Sequence, residues 1–313
     1  MKKAYPAIGI TTLCGWFGLS RQAYYQHYRR RERTQLHMDM VLREIHQIRR
    51  RHPRMGGRKL YQSLAPFLQE HQIKLGRDAL FDLLATHSLL VKRRKRNSKT
   101  TNSHHRYRKY ANLIKEFRPT GPNQLWVSDI TYWRTQRGFL YISFVSDAYS
   151  RRIMGYHVST NLAAEGCKKA LRMALSHLRE HSLKPAFLIH HSDRGIQYYS
   201  DQYTNLLKGH QIQISMTEKG DPLENPIAER INGIIKEEYL DDVQVKSLAH
   251  ARRLLKEKVN LYNQERPHMS ISNLTPEKVH ITQMKVDRRW KNYFKGSLNN
   301  QDKEEPKDYI TLN

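Results

Sequence analysis

The sequence predicts an α/β core preceded by all-α modules, and three observations carry that expectation. Hydrophobic periodicity is helical over roughly the first 90 residues, turns strand-like from Gln124, and then alternates strand with helix. Between the two regimes, residues 92–109 hold nine Lys and Arg and no acid. The length of 313 residues is about twice that of a usual single domain, which suits one core plus smaller modules.

Taken in order, residues 10–31 read as two short helices around a tight turn. Phe17-Gly18-Leu19 is the break, and Ser20 is the N-cap of a helix opening Arg21-Gln22-Ala23-Tyr24-Tyr25, a helix-turn-helix pattern. A second helical module follows. Val41, Ile45 and Ile48 recur at helical spacing, His52-Pro53 and Gly56-Gly57 interrupt, and Leu60, Leu64 and Phe67-Leu68 resume the stripe before a third helix at Leu80, Leu83 and Leu84. The run from Lys92-Arg93-Arg94-Lys95-Arg96 to Arg108-Lys109 reads as a tether that lies along phosphate.

The core begins with three strands expected to pair antiparallel: Leu125-Trp126-Val127, Leu140 to Val145 after a turn at Gly138, and Ile153 to Val158. A helix over 163–180, a strand from Ala186 to His191, a helix near 201–208, a strand from Ile212 to Met216 and a helix from Pro226 complete the alternation. A further helix over 247–264 offers Leu248, Leu254, Leu255, Val259 and Tyr262 as its apolar face. The expected division is 1–34, an N-terminal helix-turn-helix; 35–90, a second helix-turn-helix-like module; 91–120, a basic linker; 121–285, the catalytic core with its C-terminal helices; and 286–313, a flexible tail.

Charge narrows the function. Lys and Arg number 55 against 29 Asp and Glu, a formal +26, and such a surface seeks a polyanion. Residues 1–118 carry +20 of it, so the first third does most of the electrostatic binding. A passive nucleic-acid-binding protein would share this property, and the core must decide between them. Cys14 and Cys167 are far apart and form no CxxC, which excludes a disulfide framework and a Cys-based zinc module. Apolar runs such as Gly138 to Val145 fall far short of the roughly 20 residues of a membrane helix, so a cytoplasmic protein without membrane contact is expected.

Three acids carry the chemistry. Asp129 and Asp193 each follow an apolar strand and are placed at or just past its end, while Glu229 falls in the opening turn of a helix with Asn225 as N-cap and Pro226 at the first position. Singly, each is an ordinary turn or cap residue. Together they would repel one another, an arrangement tolerated when hard cations neutralise it through oxygen ligands. His190 and His191 are expected to be packed and hydrogen bonded, and Asp147 to be a structural turn carboxylate.

These residues sit in longer motifs. Pro122 to Tyr132, Asp147 to Ile153, His190 to Tyr198, and Asn225-Pro226-Ile227-Ala228-Glu229-Arg230 with Lys236 occur in this order, with 35 residues between Asp193 and Glu229. Tyr262 to His268 and Thr275-Pro276-Glu277 follow, and Ser20-Arg21 before Tyr24-Tyr25, then His52-Pro53 before Gly56-Gly57-Arg58, precede. Over roughly residues 10–282 the chain resembles the integrase-core transposases of insertion sequences, specifically the larger reading frame (OrfB) of the "insertion-sequence three" group. The resemblance implies a ribonuclease-H-like core with a DDE motif, related to retroviral integrases. Pro226, and the pair Ile231-Asn232 where aromatics are common in the family, depart from its pattern; neither is expected to touch a metal ligand.

The resemblance further implies that Asp129, Asp193 and Glu229 hold two Mg²⁺ or Mn²⁺ ions and that no zinc is used. It implies binding to the element's terminal inverted repeats, 3′-end cleavage and strand transfer into target DNA through a circular intermediate, a homo-oligomer on DNA, and an upstream-frame OrfA protein as partner or fusion. Lys236, seven residues after Glu229 and on nearly the same helix face, is expected at phosphate. Arg230, Arg194, Arg266 and His268 are weaker candidates for DNA contact. Arg21, Tyr24, Arg58 and the run Lys92, Arg93, Arg94, Lys95 and Arg96 are the candidates in the N-terminal third. The alternatives are a nuclease of the same fold without strand transfer and an inactive DNA-binding regulator.

Overall fold

The computed structural model describes residues 7–92, 110–136, 138–180, 185–218 and 225–286. Helix α1 (Ile10–Trp16) ends at a turn where Gly18 takes φ +65°, and Ser20 then caps α2 (Arg21–Arg51), its Oγ accepting from the Ala23 amide at 3.0 Å. The turn and the cap lie where the sequence places them. The second helix does not stop near residue 31: α2 runs on for 31 residues, so the boundary expected at 34/35 falls inside it. No Pro or Gly interrupts residues 21–51, and straight-chain Arg, Gln, Glu, Leu and Met sustain a helix without a break. At ~1.5 Å per residue, α2 is about 46 Å long. Val41 and Ile45 are its buried residues, and Arg21 to Leu36 extends beyond the core they enter.

That core is closed by α3 (Gly57–Glu70) and α4 (Arg77–Thr86), with Val41, Ile45, Leu60, Leu64, Leu80 and Leu84 fully buried. Gly57 opens α3 against the Phe81 ring; a Cβ there would lie 2.8 Å from it.

The second body is a five-stranded sheet in the order β3-β2-β1-β4-β5. Strands β1 (Leu125–Thr135), β2 (Gly138–Asp147) and β3 (Ile153–Ser159) form an antiparallel meander, and Gly138, at φ +110°, makes the first turn. Strands β4 (Ile189–Ser192) and β5 (Gln213–Met216) add in parallel to β1. Helices α5 (Ala164–Glu180), α6 (Ile196–Tyr199) and α7 (Asp201–Gly209) bury Trp126, Val145 and Met154 on one face. Helices α8 (Pro226–Ile235) and α9 (Leu248–Gln264) bury Trp133, Ile142 and Phe144 on the other. α5 packs flush on β3: a Cβ at Gly155 would come within 2.0 Å of the Ala170 carbonyl oxygen. This is the ribonuclease-H-like, integrase-core architecture, with the helical bundle in front.

Asp147, at the end of β2, is fully buried, and α10 (Pro276–Thr282) closes over it. It accepts from the Asn123 amide and from the amide and hydroxyl of Ser150, each at 2.7 Å. Burial would raise its pKa, yet His280 and these donors hold it below the usual carboxylate range. It is the structural turn carboxylate the sequence suggests.

The two bodies are clamped together. α8 passes into a π-helical turn, Lys236–Leu240, where Glu238 receives Arg266 through Nε and Nη2, both at 2.7 Å, and Lys59 of α3 at 2.9 Å. His52 at the end of α2 meets the Tyr239 hydroxyl at 2.8 Å through Nδ1, and Arg51 pairs with Glu265. Burial, with Arg266 nearby, pushes the Lys59 ammonium down to about 8. Burial works against the Glu238 carboxylate too, but Arg266 and Lys59 hold it at about 2. The two shifts agree if Arg266, with two short bonds, is the principal partner and Lys59 the second cation.

Candidate active site

The parallel pairing of β1 with β4 ends at Ser128 opposite Ser192, and the next residue on each strand is an aspartate, Asp129 and Asp193. Neighbouring strands lie about 4.8 Å apart, so the register alone sets these two carboxylates side by side. Asp129 is not at a strand end, as the sequence suggested, because β2 pairs with β1 as far as Thr135 opposite Gly138. It stands where the β4 side of β1 becomes unpaired.

Asp129 Oδ1 accepts from the Ile130 amide at 2.8 Å, and Asp193 Oδ1 from the Gly195 amide at 3.0 Å. A side chain at Gly195 would crowd the latter, its Cβ falling 3.0 Å from Asp193 Oδ1. Burial, followed by the charge of Asp193 and, more weakly, of Glu229, pushes the Asp129 carboxyl well above the usual carboxylate range. Glu229 is exposed in the first turn of α8. With side chains as placed, no three His, Cys, Asp or Glu among the described residues converge on one metal position. The aspartates are neighbours, and the glutamate stands at the rim. The donor set is all carboxylate oxygen, the chemistry that suits Mg²⁺ or Mn²⁺.

α8 is fixed to β1 by two asparagines. Asn225 sits at the N-cap position, but its side chain does not cap; Nδ2 donates to the Ser128 carbonyl at 3.0 Å. Asn232 Nδ2 donates to Asp129 Oδ2 at 2.8 Å, which corrects the expectation that the Ile231-Asn232 pair touches no metal-binding candidate. Asn225, Glu229, Asn232 and Lys236 follow one another at helical spacing, a stripe already present in the sequence in which only Asn232 has no charge or cap position to mark it.

His190 is buried between the Ser128 hydroxyl at 2.7 Å and the Tyr203 hydroxyl at 2.9 Å, and burial, then neighbouring His191, pushes it down to about 3. His191 Nδ1 lies 2.8 Å from the Ser215 hydroxyl. Both are packed beneath the strand ends, as the sequence suggests.

The basic candidates separate. Arg230 is exposed on α8 and Lys236 half-buried at the start of the turn that follows it; Arg21 and Arg58 are exposed, Tyr24 is half-buried, and Lys92 is exposed at the end of the helical module. Arg194 is half-buried, its Nε donating to the Thr217 carbonyl at 2.7 Å, which ties the Asp193 loop to the end of β5. Arg93, Arg94, Lys95 and Arg96 lie outside the described residues, as does the expected tail beyond Val286. Arg266 and His268, expected at DNA, are buried. Arg266 is 1% exposed and occupied by Glu238; His268 is 7% exposed, with Nδ1 3.0 Å from the Ser270 hydroxyl.

The fold and the paired aspartates define the class: an integrase core. Models described as "Integrase core domain" match residues 119–222 and 210–276. The chain is 34% identical to the insertion element IS600 31 kDa protein of Shigella sonnei over 84% of this chain and 96% of that one. It is 35% identical to the transposase InsF for insertion sequence IS3A of Escherichia coli (strain K12), over 53% of this chain and 56% of that one. Among solved structures it is similar to the HTLV-2 integrase catalytic core domain in complex with magnesium, with 22% identity, a TM-score of 0.42, and coverage of 52% of this chain and 99% of that one. The chain belongs to the integrase-core transposases of bacterial insertion sequences, a family of DDE polynucleotidyl transferases.

Proposed function

We propose that Asp129, Asp193 and Glu229 hold two Mg²⁺ or Mn²⁺ ions, without zinc, and that the chain cleaves 3′ ends of its element and joins them to target DNA. The observation that carries this reading is the register: Ser128 opposite Ser192 ends the β1–β4 ladder, and an aspartate follows on each strand. Burial and mutual charge make the Asp129 carboxylate costly without a counter-ion. Glu229 completes the set by rotation of an exposed side chain from α8. When bound, the cations supply activation of the attacking oxygen and stabilisation of the leaving 3′ oxygen. No covalent bond between protein and DNA enters the reading.

The rest of the chain positions DNA. Lys236 extends the Glu229 face, Arg230 flanks it, and both supply phosphate contacts near the cut. Arg21, Tyr24, Arg58 and Lys92, with Arg93, Arg94, Lys95 and Arg96, supply the contacts that select and hold the terminal inverted repeats; phosphate contacts set register and base contacts set sequence. Assembly as a homo-oligomer on DNA, with an OrfA protein as partner or fusion, belongs to the same reading, as does a place in the cytoplasm. No described helix is long and apolar enough to cross a membrane.

The test is incubation of the chain with labelled element-end DNA and Mg²⁺ or Mn²⁺, beside Asp129→Asn and Glu229→Gln. Nicked and joined products that disappear in both variants support the reading. Nicking without joining, with OrfA present, indicates the nuclease; binding without any product indicates the regulator.

A further inference from the structure

Asn232 is 5% exposed and lies one turn beyond Glu229 on α8. Its Nδ2 donates to Asp129 Oδ2 at 2.8 Å, while Asp129 Oδ1 accepts from the Ile130 amide, also at 2.8 Å. Each oxygen of that carboxylate thus has one donor. The orientation of the asparagine follows from the form that binds a cation, since that carboxylate is ionised and the amide carbonyl has no proton to offer it. Asn232 Oδ1 is left buried with no hydrogen-bond partner among the described residues. A buried acceptor without a partner is costly, and the packing of a buried side chain does not by itself require it.

We propose that Asn232 is a positioning residue for Asp129: its amide fixes the rotation of the carboxylate so that the remaining lone pairs face the cation. This rests on the reading of Asp129, Asp193 and Glu229 as the metal site. A carboxylate has about four lone-pair positions, and two donors leave about two for a metal. Because Asn232 and Glu229 share α8, the same helix that presents the third acid also orients the first. Partners behind a metal ligand act in this way, and their loss weakens metal binding by roughly 10–100-fold.

The experiment is a Mn²⁺ titration of the full chain without DNA, with free Mn²⁺ read by electron paramagnetic resonance, beside the melting temperature without metal. Asn232→Leu, close in size and without a donor, is expected to bind Mn²⁺ at least about tenfold more weakly while its metal-free melting temperature stays near that of the parent. Asn232→Gln, which keeps an amide on the same face, is expected to recover most of the affinity. Should Asn232→Leu fail to fold, Asn232→Ala asks the same question. Parental Mn²⁺ affinity in the donor-less variants overturns the positioning role, and so does a Gln variant as weak as Leu, which would mark a packing effect. Absence of Mn²⁺ binding by the parent chain, or binding unchanged in Asp193→Asn, overturns the metal-site reading and this inference with it.

Discussion

Glu238 and Arg266 show how a charge becomes structural. The pair is buried, bonded at two short distances, and joined by Lys59 from the other body. Removing one partner of a buried pair leaves an uncompensated charge, so Arg266→Met is expected to lower unfolding stability by about 3–5 kcal/mol in denaturant titration. Lys59→Met leaves the Arg266 bonds in place and is expected to change stability by less than about 1 kcal/mol at pH 7. Equal losses in the two variants would contradict the ranking of the cations. Asp129 gives the opposite case. Its folded-state pKa is raised, so the stability it contributes is fully present below the unfolded value of about 4 and is lost as pH rises through the folded value. Asp129→Asn is therefore expected to melt higher than the parent in metal-free buffer at pH 7, with the gain disappearing below about pH 4. A constant difference across that range would contradict the raised pKa. Long flanking motifs singled out Asp129, Asp193 and Glu229 in the sequence, and the β1–β4 register sets the two aspartates side by side. Asn232 was not legible there, because a neutral amide has no chemical signature until the strand it faces is known. Arg266 was misread for a related reason: a sequence does not show that Glu238 will meet it in the interior.

At the scale of elements, the strands β1 to β3 and the helices α5, α7, α8 and α9 follow periodicity the sequence displays. The differences lie at ends. β1 extends eight residues beyond Val127 because β2 offers pairing along its whole length, a tertiary cause that no local run of apolar residues encodes. β4 begins at Ile189 rather than Ala186, since its parallel pairing with β1 starts at Leu125 opposite Ile189. α2 passes through its expected end because nothing local stops it, and packing at Val41 and Ile45 holds only its second half. Close approach of elements also fixes glycines. Gly155 lets α5 lie on β3, and Gly155→Ala is expected to cost about 1–3 kcal/mol or more, because the backbone of Ala170 cannot yield as a side chain would. Chemical denaturation checks this, and an unchanged midpoint would show that the two elements are not so close.

At the scale of the whole molecule, the sequence shows where charge lies but not how the bodies join. Residues 1–118 carry +20 of the charge, while His52–Tyr239 and Lys59–Glu238 fasten the helical module to the turn after α8, and Arg51–Glu265 fastens it to the end of α9. On the proposed function, DNA held by the helical module would lie toward the helix that carries Glu229. Each phosphate contact releases counter-ions, so Arg21→Ala and Arg58→Ala are each expected to reduce the slope of log affinity against log salt by about 1 for element-end DNA. An unchanged slope would remove that residue from the DNA surface.

The central claim is that two aspartates beyond the β1–β4 ladder and a glutamate on α8 form one metal-dependent centre for strand joining. The most direct measurement supplies element ends already carrying a free 3′ hydroxyl, with labelled target DNA and Mg²⁺, to the parent chain and to Asp193→Asn, while DNA binding is followed in parallel. Joined products are expected from the parent and none from Asp193→Asn at equal DNA binding; joined products from Asp193→Asn at the parental rate would rule out a shared metal centre.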